Sequence, residues 1–280
     1  MAKKTTDQAW NDWFFNDHPG CGRWLTDLGR APRTLDAVSV TGKTAGFECL
    51  AGMPSLRRLS VRDVSQAQLD VIAKLTRLSE LRVFGFHGAD AGPLSKLKRL
   101  EFLTFEWAPK IETIAWLAGF ERLRFLHLGD LKRVRDLAPV GALTSLRYFS
   151  ISGGSETIQT VASVSPLQRL RKLEELELTA RVADEDLSPI AAMTWLKRLS
   201  MPNFYPVQVY AELAAHLTGT KCAAFSATQK DSISGGQYVT LTGKPARRFR
   251  TGDPKSVTPI AKREVEFSRW LSHFKAGKSS

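Results

Sequence analysis

The sequence predicts an α/β solenoid: a curved parallel β-sheet on the concave side, short helices or 3-10 segments on the convex side, an N-terminal helical cap and a small α+β C-terminal module. Three observations predict it. A hydrophobic phrase returns at a nearly fixed interval, a proline-led phrase falls between its copies, and both stop at Pro206.

The main phrase reads Leu56-x-x-Leu59-x-Val61, Leu78-x-x-Leu81-x-Val83, Leu100-x-x-Leu103-x-Phe105 and Leu123-x-x-Leu126-x-Leu128. It continues as Leu146-x-x-Phe149-x-Ile151, Leu173-x-x-Leu176-x-Leu178 and Leu196-x-x-Leu199-x-Met201. The first leucines are 22, 22, 23, 23, 27 and 23 residues apart. A period in this range marks a stack of units, each burying its apolar face only against its neighbours. Leu35-x-x-Val38-x-Val40, 21 residues before Leu56, is a weaker copy and the first expected strand. Between copies come Gly92-Pro93-Leu94, Leu137-Ala138-Pro139-Val140 and Leu187-Ser188-Pro189-Ile190. Proline fits the first turn of a short helix, where its missing N–H costs nothing. Each unit is therefore a strand, a turn and a short helical segment behind it.

These residues resemble the leucine-rich-repeat superfamily, in the short-repeat class that includes phosphatase-regulating subunits and bacterial internalins. The segment Asp136-Leu137-Ala138-Pro139-Val140-Gly141-Ala142-Leu143-Thr144-Ser145-Leu146 is close to the internalin-type phrase. The resemblance covers about two thirds of the chain and implies the solenoid fold. It departs from the family at one point. The family places Asn three residues after the last strand leucine, and here those positions are Val64, Phe86, Ala108, Leu131, Gly154, Arg181 and Phe204. The turns must satisfy their backbone groups in another way.

Residues 1–34 read as the N-terminal cap, with Trp10, Trp13, Phe14, Trp24, Leu25 and Leu28 at helical spacing around the break Asp17-His18-Pro19-Gly20. Such a cap protects the open edge and apolar end of the first repeat. Residues 35–225 form the repeat array. The 27-residue interval holds an insertion, placed at Gly153-Gly154-Ser155-Glu156-Thr157. After Pro206 come a helix carrying Val209, Leu213 and Leu217 and a closing strand, Cys222–Phe225. Residues 226–280 form a basic C-terminal module: a hairpin from Tyr238–Thr242 and Ala246–Arg250, then a helix capped by Thr258 and Pro259.

At 43% hydrophobic and 24% charged residues, the composition is that of a globular protein, and no apolar run is long enough to span a bilayer. The start, Met1-Ala2-Lys3-Lys4, lacks the apolar run of a secretory signal, and three irregularly spaced cysteines suit free thiols. Both point to the cytoplasm. The net charge of +12 invites a nucleic-acid reading, but its location matters. Residues 244–280 hold ten Lys/Arg against three Asp/Glu, so about +7 sits in the C-terminal module. A second basic set, Arg57, Arg77, Arg99, Arg122, Arg124, Arg147, Lys172 and Lys197, lines one edge of the repeats.

Because strand side chains alternate, the residues between the leucines form the concave face. One row is Ala37, Arg58, Glu80, Phe102, Phe125, Tyr148, Glu175 and Arg198. The next is Ser39, Ser60, Arg82, Thr104, His127, Ser150, Glu177 and Ser200; the third is Thr41, Arg62, Phe84, Glu106, Gly129, Ser152, Thr179 and Pro202, with Trp107 beyond Glu106. Large aromatics at mid-array with charges around them fit a protein-binding hot spot. Cross-strand packing that stiffens the sheet is the competing explanation. The expected partner-binding residues are Phe102, Phe125 and Tyr148 as anchors, with Arg82, Phe84, Glu106, Trp107 and His127 around them. The arginines and glutamates of these rows cancel, unlike a groove for a phosphate backbone.

Catalytic motifs are not evident. Thr41-Gly42-Lys43-Thr44 resembles the end of a phosphate-binding loop, but the required first glycine falls at Ala37, within a strand. His18 and Cys21 lack a second pair for zinc. The sequence thus reads as a non-catalytic recognition protein without a cofactor, holding a protein partner on the concave face as inhibitor, immunity factor, scaffold or adaptor. The second reading is nucleic-acid binding through the basic edge, which an acidic protein could also occupy, and the C-terminal tail.

Overall fold

A computed structural model describes residues 24–154, 156–230 and 235–277. The expected cap residues Trp10, Trp13 and Phe14, the break at Asp17–Gly20, and Cys21 lie outside the described residues, as does Ser155 of the expected insertion. The chain divides into two compact units, the first ending at Val134 and the second beginning at Arg135.

The first unit contains β1 (Ala37–Thr41), β2 (Arg58–Val64), β3 (Glu80–Phe86), β4 (Phe102–Glu106) and β5 (Phe125–Gly129). All four pairings are parallel, and each places one copy of the phrase against the next: Leu59 beside Leu81, Leu81 beside Leu103, Leu103 beside Leu126. Every repeat leucine from Leu56 to Leu126 is buried, as are Val61, Val83 and Phe105. Burying each such side chain is worth roughly 1.5–3 kcal/mol, which is why the period is kept so strictly. Behind the strands run α1 (Gln66–Ile72) and 3-10 segments at Phe47–Gly52, Gly92–Lys96 and Ala115–Gly119. Helix α1 starts with a capping box, in which Ser65 N donates to Gln68 Oε1 at 2.9 Å and Gln68 N to Ser65 Oγ. The same Gln68 donates from Nε2 to the Gly42 carbonyl at 2.7 Å, tying one turn to the next.

The positions where the family carries Asn are apolar and buried here: Val64, Phe86, Ala108 and Leu131. Direct backbone bonds between repeats replace an amide ladder. Gly42 N donates to Arg62 O, His87 N to Val64 O, Phe86 N to Trp107 O and Trp107 N to Gly129 O, all at 2.8–3.0 Å. The freed volume is filled by rings packed edge to face, Phe86 on Phe105, Phe105 on Trp116 and Trp116 on Phe120.

The second unit contains β6 (Tyr148–Ser152), β7 (Gln159–Val161), β8 (Glu175–Val182) and β9 (Arg198–Ser200). The long interval has a structural purpose. Its extra residues make β7, which pairs with the second half of β8 while β6 pairs with the first half. A 3-10 segment at Ser165–Arg169 and α2 (Ser188–Ala191) back these strands, with Pro166 and Pro189 in their first turns.

After β9 the unit continues as α3 (Val207–His216), three antiparallel strands β10 (Thr228–Lys230), β11 (Tyr238–Leu241) and β12 (Arg248–Arg250), and α4 (Val257–Ala276), which packs on α3. The expected hairpin is β11–β12. The expected strand at Cys222–Phe225 is instead a turn, closed by Phe225 N donating to Cys222 O; the only residue there that pairs with β9 is Lys221, opposite Arg198. Helix α4 opens a residue before Thr258, with Pro259 in its first turn. Its Arg263, 6% exposed, donates to the carbonyls of Thr242, Gly243 and Pro245 and pairs with Glu266 at 3.2 Å. One of the C-terminal positive charges is therefore spent on architecture.

Candidate functional site

On the outward face of the first unit's sheet, the strand register assembles the predicted rows. Glu80, Phe102 and Phe125 stand side by side, as do Arg82, Thr104 and His127, and Phe84, Glu106 and Gly129. The rows differ sharply in how much surface they present. Phe125 is 1% exposed and Phe102 half-buried, their centroids 6.1 Å apart, so cross-strand packing accounts for this pair. Tyr148, at the same row position in the second unit, is 5% exposed.

Surface aromatic area lies instead at the carboxyl ends of the strands. Phe84 and Trp107 are each 40% exposed, and their rings stack at 6.3 Å. The series extends on both sides. The Arg62 guanidinium lies 5.8 Å from the Phe84 ring centroid and 5.1 Å from that of Trp24, which is 38% exposed. On the other side His87 meets Trp107 edge-on at 5.4 Å, with its Nε2 3.7 Å from Asp63 Oδ1. Trp24 is held by a parallel bridge to Ser39, at the free side of β1.

The backbone explains how a tryptophan comes to stand there. Asp63, Gly85, Trp107 and Asp130 occupy one position of successive repeats, and all have left-handed φ values of 55, 82, 53 and 49°. Asp and Gly tolerate this conformation, whereas for a bulky residue it is a true outlier. Strain of this kind persists only where the surroundings over-determine it, and it concentrates at functional sites.

Beside the rings lies a charge cluster. Glu106 Oε2 is 3.7 Å from Nε2 of buried His127, and Glu106 Oε1 is 3.9 Å from Arg82 Nε. Burial raises the Glu106 carboxyl, but the hydrogen bond and charge of His127, with Arg82 and Arg62, outweigh it and hold the group below its ordinary value. Gly129 leaves the room: a Cβ there would come within 3.0 Å of both Glu106 Cγ and His127 Nε2. Within this network Thr104 Oγ1 is buried without a hydrogen-bond partner.

In the second unit the corresponding rows border an open cleft of about 700 Å³, lined by Glu175, Glu177, Arg198, Ser200, Cys222 and Gln229 among others. Glu175 and Arg198 form an ion pair there. The Tyr148 hydroxyl is hydrogen-bonded to Glu177, and burial first, then that carboxylate, push the phenol above its ordinary range. Cys222 is likewise raised by burial, which makes it a poor nucleophile at neutral pH.

Of the eight residues expected from sequence, Arg82, Phe84, Glu106, Trp107 and His127 are thus brought together, Phe102 and Phe125 pack as an inner pair, and Tyr148 belongs to the second unit. Sequence reasoning missed Arg62, Trp24, His87 and Gly85. The 22-residue repeat carried the signal for two of them, since Arg62 shares the row of Phe84, and Gly85 shares the left-handed position of Trp107. Trp24 had no such signal. Among the described residues no three His, Cys, Asp or Glu side chains are placed to hold a metal, and no helix is long and apolar enough to cross a membrane.

Strand, buried leucines, left-handed turn and 3-10 return, repeated in register, define the leucine-rich-repeat fold, and this chain has it. One solved structure agrees in fold, and two more are similar in part. An internalin of Listeria monocytogenes, InlF, is 23% identical, with a TM-score of 0.53 over 66% of this chain and 54% of its own. Internalin C2 of the same organism is also 23% identical, with a TM-score of 0.49 over 65% of this chain and 75% of its own. A leucine-rich-repeat protein of Leptospira interrogans is 15% identical, with a TM-score of 0.48 over 72% of this chain and 58% of its own. The chain spans about half the length of the first of these, and the likeness is one of fold. No protein-family model matches the sequence, and no curated protein does.

Proposed function

We propose that the chain is a non-catalytic recognition protein that holds a protein partner on the outward sheet face of its first unit. Phe84 and Trp107 are the anchors, and Arg62, Arg82, Glu106 and His127 surround them. The observation that carries this reading is the exposed, stacked pair of rings, one of them on a strained backbone. Aromatic and arginine side chains in the middle of a mixed-charge margin are the composition of binding hot spots. Rigid rings also lose little conformational entropy on binding. Leucine-rich repeats present such rows on consecutive strands about 4.8 Å apart, which suits an extended protein surface. Inhibitor, immunity, scaffold and adaptor roles would all use this contact.

A photo-crosslinking amino acid at position 84 of the full chain tests it in extracts of the source cell. A discrete protein adduct is expected at position 84, absent when the same group replaces Lys98 on the helical side and lost in the Trp107→Ala background. An adduct that survives Trp107→Ala, or equal labelling from position 98, would place the contact elsewhere.

A further inference from the structure

The excess positive charge is not spread evenly once the side chains are placed. Several arginines and lysines of the strands and their edge are paired internally: Arg58 with Asp36, Arg124 with Glu101, Arg133 with Glu112, and Arg147 and Lys197 with Glu174. Arg57 and Arg77 donate to backbone carbonyls. The C-terminal segment differs. Between α4 and the loop that joins β11 to β12 lies a cleft of about 660 Å³. Lys262 and Arg269 stand on the α4 wall, and Lys244 and Arg247 on the loop wall. Among the described residues none of these four has an ion-pair partner. The cleft's single carboxylate, Glu266, is engaged by Arg263.

Four like charges converging without compensation cost stability, so their convergence needs an anion to make sense of it. Their geometry is prepared for one. Arg247 lies 5.2 Å from the Phe249 ring centroid and Arg269 5.2 Å from that of Trp270, a cation–π contact for each guanidinium. Thr258, Lys262, Val265 and Arg269 follow one another by four, three and four residues, so they share one face of α4 over about 16 Å. The lining includes no aromatic ring, only Pro245, Pro259, Val265 and Leu241 beside the polar groups. A protein ligand is ordinarily gripped by a buried apolar or aromatic anchor. A ligand read by charge and backbone along a line is a polyphosphate.

We propose that this cleft binds the phosphodiester backbone of a single nucleic-acid strand, with Lys244, Arg247, Lys262 and Arg269 on its phosphates and the apolar lining beneath its sugars and bases. The site is separate from the aromatic face of the first unit, so either can stand without the other.

Fluorescence anisotropy of a labelled fifteen-nucleotide oligo(dT) with the full chain tests it. Binding is expected at low salt, with log K falling against log[salt] at a slope of about −3, as four phosphate contacts on a single strand imply. Lys262→Gln with Arg269→Gln, both exposed, should lower affinity at least tenfold and bring the slope to about −1.4. Arg77→Gln with Arg99→Gln, on the repeat edge, should change neither. Absence of binding, an unchanged Lys262/Arg269 double variant that melts like the parent, or equal competition by an oligoglutamate of the same length would each overturn the proposal.

Discussion

The ring of Trp107 lies over Gly85: a Cβ at residue 85 would stand 2.9 Å from Trp107 Cε3 and 2.6 Å from Asp63 Oδ1. Both residues have left-handed backbones at the same point of consecutive repeats. The glycine of one repeat is thus a condition for the tryptophan of the next. Gly85→Ala must both adopt a disfavoured φ and push the ring away, and it should cost about 1–3 kcal/mol of stability. Urea unfolding measures the cost, and near-UV circular dichroism reports the displaced ring. A normal near-UV spectrum would show that the stack does not depend on this floor.

Trp107 itself offers a second test. Its left-handed φ costs an L-residue roughly 1–2 kcal/mol, while its aromatic contacts with Phe84 and His87 return about 0.5–1.5 kcal/mol. Asn tolerates the conformation, as the equivalent Asp63 and Asp130 do. Trp107→Asn is therefore expected to melt within a few degrees of the parent and yet lose the crosslink from position 84. A large fall in melting temperature would mean that the ring serves the fold.

The Glu106 carboxyl sets an acid-side dependence. Its folded pKa is depressed, so its contribution is present above the ordinary value of 4.5 and is lost as pH falls through the lower folded value. Glu106→Gln should cost about 1–3 kcal/mol at neutral pH, because buried His127 loses its charged acceptor. The gap between parent and variant should narrow below pH 4.5, as followed by urea unfolding across pH 3 to 7. A gap that stays constant down to pH 3 would show that the pair is not coupled.

Tyrosines give the alkaline counterpart. Burial is the leading cause that raises Tyr148, Tyr205 and Tyr210, the last to about 12. Groups with raised folded values stabilise fully below the unfolded value near 10 and lose that contribution as pH climbs. Absorbance titration at 295 nm should show the Tyr148 and Tyr210 phenols resisting ionisation at pH 11 until the chain unfolds. Tyr148→Phe should remove one delayed step, together with the donor to Glu177.

Arg263 anchors the C-terminal strands to α4 through the carbonyls of Thr242, Gly243 and Pro245. Arg263→Met leaves buried acceptors without a donor and should destabilise by about 2–4 kcal/mol, with faster hydrogen exchange confined to residues near 239–249. Lysine cannot reproduce a planar fork over three carbonyls, so Arg263→Lys should recover little of the loss.

The leucine phrase by itself determined the strands that carry it, β1 to β6, β8 and β9, their parallel order within each unit and the register of each row. Parallel pairing of identical repeats leaves one alignment that buries every leucine, and a one-residue slip would turn them all outward. The same alternation told which side chains leave the core. It did not tell which of those meet solvent, because that depends on what stands in the neighbouring repeats. Phe125 and Phe84 read alike in sequence, yet Phe125 is covered and paired with Phe102 while Phe84 stays open beneath Arg62 and beside Trp107. Tertiary structure alone also decided the fate of the charges. Composition counted Arg263 and Lys262 equally. One is folded into carbonyls while the other faces an uncompensated cleft, because only three-dimensional placement sets the distance from a charge to its partners.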